Sequence, residues 1–161
     1  MFIHPRVSGL CSALVNGYQL AAPLGTLFED SLVVAQMVRR HFLHEFPALR
    51  VIIPHLGGIL PIYLQRMDNQ MQLFFSDLPE RPSDTVRRMW FDTLVHGSVA
   101  ALRSAWESFG ADRLVTGSDY PVPEHHDGYA ACIDYIRSAG LPEADVERIL
   151  HVNAPALFGL S

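Results

Sequence analysis

Four short apolar runs rich in strand-forming residues alternate with stretches of helical spacing along this 161-residue chain. The runs cover residues 1–4, 50–56 (RVIIPHL), 89–95 (MWFDTLV) and 113–117 (RLVTG). After the first, Phe28, Leu32, Ala35, Val38 and Phe42 recur at three- and four-residue intervals, and Phe46-Pro47 ends that helix. Residues 59–67 form a second helix with Pro61 in its first turn. Ser98 and Gly110 stand as N-cap and C-cap of a third over Val99–Phe109. Gly140 closes a fourth over 128–139, and short helices over 142–150 and 154–157 finish the chain. Strand–helix alternation of this kind calls for parallel strands joined by right-handed crossovers, because a strand that runs the same way as its neighbour needs a long return connection.

Four such units make half of a (β/α)₈ barrel, a fold that usually takes about 250 residues. The expected architecture is therefore α/β, a half-barrel formed by residues 1–161 as a single domain. Only three residues precede His4, whereas strands usually run to about five or six, so the first strand looks cut. A half-barrel also leaves two unpaired edges, which full closure would remove. Pairing of those edges between copies makes a homodimer the expected state.

Composition narrows the function. Hydrophobic residues make up 49% of the chain and charged residues 18%, enough apolar material for a core. The net charge is −5 and all 12 basic residues are arginine, with no basic cluster. Neither nucleic acid nor a membrane is expected as a partner; a small-molecule substrate is. No apolar run approaches the roughly 18 residues of a membrane helix. Cys11 and Cys132 lie far apart with no Cys-x-x-Cys, which supports neither a disulfide scaffold nor a thiolate zinc site. Asn16, Gly17 and Gln19 interrupt any apolar signal-peptide region, so a cytoplasmic chain is expected.

Three strands end in a metal-type or acid–base side chain followed at once by a turn former: His4 before Pro5, His55 before Leu56-Gly57-Gly58, and Asp119 before Tyr120-Pro121. Each alone has a structural reading, as a hydrogen-bonded histidine or an aspartate capping a turn. Together they sit where (β/α) folds build their sites, at the carboxyl ends of the strands. Two imidazoles and a carboxylate suit a divalent metal and the water it activates.

The stretches FIHP (2–5), HEFPALRVIIPHLGGILPIYLQRMD (44–68), RRMWFDTLVH (87–96), ADRLVTGSDYP (111–121) and ILHVNAPALFGL (149–160) follow one another in a recognisable order. They resemble the C-terminal half of the amidohydrolase-2 branch of the amidohydrolase superfamily, which includes aminocarboxymuconate-semialdehyde decarboxylase, the resorcylate-type decarboxylases and related lactonases. The resemblance implies strands 5–8 of a TIM barrel and a divalent metal, zinc first and manganese second. It makes His4 a metal-binding histidine of strand five. It makes His55 the strand-six histidine that acts as an acid–base or polarising group beside metal-bound water. Asp119 becomes the strand-eight aspartate, both a metal ligand and a proton acceptor. Arg66 matches an arginine that meets a substrate carboxylate, in some members across a dimer interface. Non-oxidative decarboxylation is favoured over hydrolysis, because Arg66 and the stretch around His55 look most like the decarboxylases.

The chain departs from the family at one point. The strand-one His-x-His, which supplies two further ligands, is absent, and no His-x-His occurs in the sequence. His4 and Asp119 are two ligands where catalytic zinc usually has three. The alternative reading is a non-catalytic half-barrel that persists by oligomerising.

Several other residues have plainer readings. His41 and His44 fall on a surface helix, and His125-His126 in a loop after Asp119. Asp92 and His96 are as readily packing residues as substrate contacts. Gly57-Gly58 opens the following helix, while Trp90, Trp106, Phe74 and Phe75 serve core or interface. The long connections 6–26 and 68–86 are either lids or segments left unordered by the missing half.

Overall fold

A computed structural model describes residues 1–125 and 128–160. Three parallel strands, β1 (Ile52–Ile53), β2 (Trp90–Asp92) and β3 (Leu114–Val115), lie side by side in sequence order. Ile52 stands opposite Trp90, Phe91 opposite Leu114, and Asp92 opposite Val115. The expected first strand is reduced to one parallel bridge between Phe2 and Ile52. Ile3 N donates to Ile52 O (3.0 Å) and Ile52 N to Met1 O (2.8 Å), which puts this segment beside β1. The four segments therefore keep the sequential parallel order of a partial barrel, but every strand is shorter than its apolar run. Pro5 and Pro54 explain two of the early stops, because proline has no N–H to give to the ladder.

Four main helices cover the outer face: α1 (Thr26–Arg39), α2 (Leu60–Phe74), α3 (Val99–Phe109) and α4 (Gly128–Arg137). The α3 caps are those expected, with Ser98 Oγ accepting from Ala101 N at 3.3 Å. Helix α1 ends earlier than its pattern suggests. His41 adopts a left-handed conformation (φ 55°), and a separate short helix, Phe42–Glu45, follows. Its buried stripe also differs. Asp30, Ser31, Val34, Met37 and Val38 face inward, whereas Leu32 is 47% exposed.

Neither long connection is structureless. Residues 6–26 carry the helical turns Gly9–Cys11, Ala13–Asn16 and Ala21–Gly25, and 68–86 hold the end of α2, an irregular turn over 75–81 and the short helix Pro82–Val86. The carboxyl-terminal region forms Glu143–Glu147, a wider turn over Arg148–Val152, and Asn153–Phe158.

The sheet separates two apolar groups. Ile53, Phe91 and Leu114 meet the helices through Leu60, Leu102, Ile136 and Ile149, all essentially buried, and Phe91 stacks on Phe109 with ring centroids 4.0 Å apart. Ile52 and Val115 point the other way and pack with Leu157, half-buried Trp90 and Ala154. Successive strand residues alternate faces, so one strand serves both the helix layer and the inner wall. That inner wall bounds the cavity described next. Among the described residues no helix is long and apolar enough to cross a membrane.

Candidate metal centre

At the carboxyl ends of the strands the chain turns through left-handed backbone at residues that carry chemistry: His55 (φ 53°), His96 (φ 48°) and Asp119 (φ 51°). Histidine and aspartate tolerate this region better than most side chains, at a cost of about 1–3 kcal/mol each. The turns leave His55 and Asp119 at the mouth of a cavity of about 410 Å³. Phe2, Ile52, Val115 and Phe158 supply its apolar wall, while His4, His55, Asp92, Ser118 and Asp119 supply the polar end.

His4, His55 and Asp119 converge there as expected. His4 Nε2 lies 3.4 Å from Asp119 Oδ1, and the two imidazole centroids are 5.9 Å apart at 61°. One potential ligand atom from each of the three lies within 4.8 Å of the others. Two imidazole nitrogens and a carboxylate oxygen at this spacing fit one divalent ion, whose bonds of about 2.0–2.2 Å require the donors to draw in slightly.

His55 is held from several sides. Its ring Nδ1 is 2.8 Å from Asp30 Oδ2, and its backbone N donates to Asp92 Oδ1 at 2.8 Å. Ser31, next to Asp30 on α1, accepts from Ile59 N at 2.9 Å and lies 3.1 Å from Gly57 O, so it anchors the turn after His55. Gly58 is required here: a Cβ would lie 2.0 Å from Leu27 O. Glu29, the neighbour of Asp30 on α1, ties down the segment after His4. It accepts from Arg6 N (2.9 Å), Ser8 Oγ (2.8 Å) and Leu10 N (3.5 Å).

These contacts set the protonation landscape. Burial by itself would lower the His55 imidazole. The hydrogen bond to Asp30, with the charges of Asp30, Asp92 and Asp119, outweighs it and holds the pKa above the ordinary value. Burial raises the Asp30 carboxyl, partly offset by the same bond. Asp92 is pushed up to about 6 by burial, despite accepting from Leu94 N and His55 N. For Glu29 burial works upward, but the bonds from Ser8, Leu10 and Arg6 prevail and lower it.

Arg66 is not part of this cluster. It lies exposed on α2 and does not line the cavity of its own chain. His125 is also exposed, at the end of the turn Val122–His125, and His126 lies outside the described residues. His41 sits at the helix break and His44 pairs with Glu80 at 3.1 Å, both apart from the cavity. Asp30 and Glu29 are the residues that sequence reading missed. A signal for Asp30 did exist, in its helical spacing to Val34 and Val38, which puts a carboxylate on the buried stripe.

The sequence profile of the amidohydrolase family matches residues 3–160. This chain belongs to that family. It is 27% identical to 2-amino-3-carboxymuconate-6-semialdehyde decarboxylase of Dictyostelium discoideum, over 99% of this chain and 45% of that protein. The crystal structure of 5-carboxyvanillate decarboxylase from Sphingomonas paucimobilis superimposes with a TM-score of 0.85 at 27% identity, covering 99% of this chain and 49% of that one. A dihydroxybenzoic acid decarboxylase from Polaromonas, solved with bound manganese and the inhibitor 2-nitroresorcinol, shares the fold at 24% identity and a TM-score of 0.82, covering 99% and 49%. The chain thus spans about half the length of the relatives it matches, in keeping with a partial TIM barrel.

Proposed function

We propose that this chain carries the metal-side groups of a non-oxidative decarboxylase for a small carboxylated or cyclic substrate. The observation that carries the reading is the convergence of His4, His55 and Asp119 within 4.8 Å at one end of a parallel sheet. The naming of the Dictyostelium and Sphingomonas relatives as decarboxylases favours carbon dioxide release over hydrolysis.

His4 and Asp119 would hold a divalent ion, zinc from the donor types or manganese as in the Polaromonas relative. Bound there, such an ion would acidify water and offset negative charge on a substrate oxygen. Asp119 would help to hold the ion and, when ionised, would serve as a proton acceptor for water at the site. His55 keeps Nδ1 against Asp30 and delivers a proton from Nε2 to the substrate carbon that bears the carboxylate. The carbon–carbon bond then breaks, its electron pair restores the unsaturation used in protonation, and carbon dioxide departs. His55 regains its proton from solvent. The apolar wall of Phe2, Val115 and Phe158 gives a ring a dry surface to lie against.

Because Arg66 lies outside the cavity of its own chain, we assign it to the substrate carboxylate in the cavity of a second copy within a homodimer. A mixing experiment tests this assignment. Arg66→Ala and His55→Asn proteins, each inactive, should regain part of the activity when combined, because one mixed cavity keeps both residues.

One observation favours the non-catalytic reading: among the described residues the cluster offers three potential ligands, and one of them, His55, is also needed as the acid–base group. The decisive measurement is carbon dioxide release from hydroxybenzoates by protein loaded with zinc or manganese, with lactone hydrolysis followed in parallel. Carbon dioxide release abolished by His55→Asn supports the decarboxylase. Hydrolysis alone, or no turnover at full metal loading, overturns it.

A further inference from the structure

We propose that Asp30 is a positioning residue that sets the tautomer of His55, keeping the proton on Nδ1 and leaving the Nε2 lone pair for the cavity. The proposal deepens the reading of His55 as the acid–base group and rests on it for its functional meaning.

The geometry is specific to the ring. Asp30 Oδ2 lies 2.8 Å from His55 Nδ1, and Asp30 is 1% exposed. An ionised carboxylate only accepts, so the neutral imidazole must donate from Nδ1. The other carboxylate oxygen, Asp30 Oδ1, is buried and has no hydrogen-bond partner among the described residues. Burying a carboxylate with one oxygen unmet costs stability, and apart from Ser31 the same helix face is filled by Val34, Met37 and Val38. An apolar residue would serve packing better at this position.

Anchoring of the turn does not require Asp30 either. Asp92 holds the His55 backbone at 2.8 Å, and Ser31 holds Ile59 N and reaches Gly57 O. What remains for Asp30 is the orientation and protonation of the imidazole. The consequence is chemical. After His55 gives its Nε2 proton away, the neutral ring is left as the Nδ1–H form, and Nε2 is free to be recharged. In the opposite tautomer Nε2 would keep a proton and offer no lone pair.

The test reads the tautomer directly, by long-range ¹H–¹⁵N correlation of histidine-labelled, metal-free protein at a pH where His55 is neutral. A His55→Gln sample assigns the signals. The wild type should show a protonated Nδ1 and a bare Nε2. Asp30→Asn should shift the tautomer ratio toward Nε2–H by about tenfold or more, as expected for loss of one charge-assisted hydrogen bond. Ser31→Ala, which loosens the same turn without touching the ring, should leave the ratio unchanged. A wild-type ring protonated on Nε2 overturns the proposal. So does an Asp30→Asn ratio equal to wild type, or a Ser31→Ala shift as large as that of Asp30→Asn. Should Asp30→Asn fail to fold, the wild-type spectrum alone decides. An Asp30-dependent Nδ1–H tautomer in a protein that releases no carbon dioxide would uphold the positioning role while removing the decarboxylase reading.

Discussion

Nε2 of His4 lies 3.4 Å from Oδ1 of Asp119, although 115 positions separate the two residues. His4 follows the edge segment bridged to β1, and Asp119 follows β3 at the far side of the sheet. Their meeting depends on curvature of the parallel sheet toward its inner wall, as in a barrel. As a partly exposed histidine–carboxylate contact, with the His4 side chain 51% exposed, the pair adds little to stability. Under the proposed function the two side chains supply metal donors.

Asp119→Ala should therefore weaken zinc or manganese binding by at least about tenfold while leaving the fold intact. Isothermal titration with either metal measures the affinity, and circular dichroism the fold. Unchanged affinity would take Asp119 out of the metal centre.

Asp92 links stability to pH. Burial raises its carboxyl to about 6 from 3.8, so the folded state binds a proton more readily than the unfolded chain. The stability it contributes is present below the unfolded value and is lost as pH rises through about 6. Asparagine cannot titrate yet still accepts from His55 N and Leu94 N. In metal-free protein, the stability of Asp92→Asn relative to wild type should rise by about 2–3 kcal/mol between pH 4 and pH 7. Urea denaturation at the two pH values gives the difference, and no change in the gap would contradict the raised pKa.

Gly58→Ala should be severely destabilising. The backbone there has φ +66°, and the added Cβ would meet Leu27 O at 2.0 Å and Ser31 Oγ at 2.7 Å. We expect a loss of about 3–4 kcal/mol, lowering the melting temperature by about 10 °C. Gly97→Ala provides the comparison, since φ is also positive (+76°) but nothing lies within 4 Å of its Cβ. It should cost about 1–2 kcal/mol. Equal losses would mean that conformation, not the close approach of α1, determines the glycine.

Phe91→Ala removes the central ring of the sheet's outer face, fully buried and stacked on Phe109. The expected loss is about 3–5 kcal/mol. Thermal unfolding measures it, and a loss below about 1 kcal/mol would mean that the Phe109 side refills the space.

Much of the fold was legible because its signals are local. Ser98 and Gly110 bound α3 through backbone bonds within a few residues, and the apolar runs mark β1, β2 and β3 through strand propensity. The boundaries that failed lie where the backbone turns abruptly. Pro54 and the left-handed His55 cut β1 to two residues, and left-handed His41 split the first helix. Leu32 fitted the expected stripe yet is half exposed, because the rotation of α1 follows Asp30 and Ser31 toward the turn after His55.

The sequence by itself determined the alternation of strand and helix, the parallel order, and the identity of His4, His55 and Asp119 as side chains at strand ends. Period, caps and turn formers act over neighbouring residues, so they can be read without coordinates. Only the tertiary structure decided which groups support them: Asp30 against the His55 ring, Asp92 against its backbone, and Glu29 against the segment after His4. It also decided that Arg66 is exposed and does not line the cavity of its own chain. Those outcomes depend on how a helix is rotated and how far a sheet curves, and both are settled by packing between residues far apart in the chain.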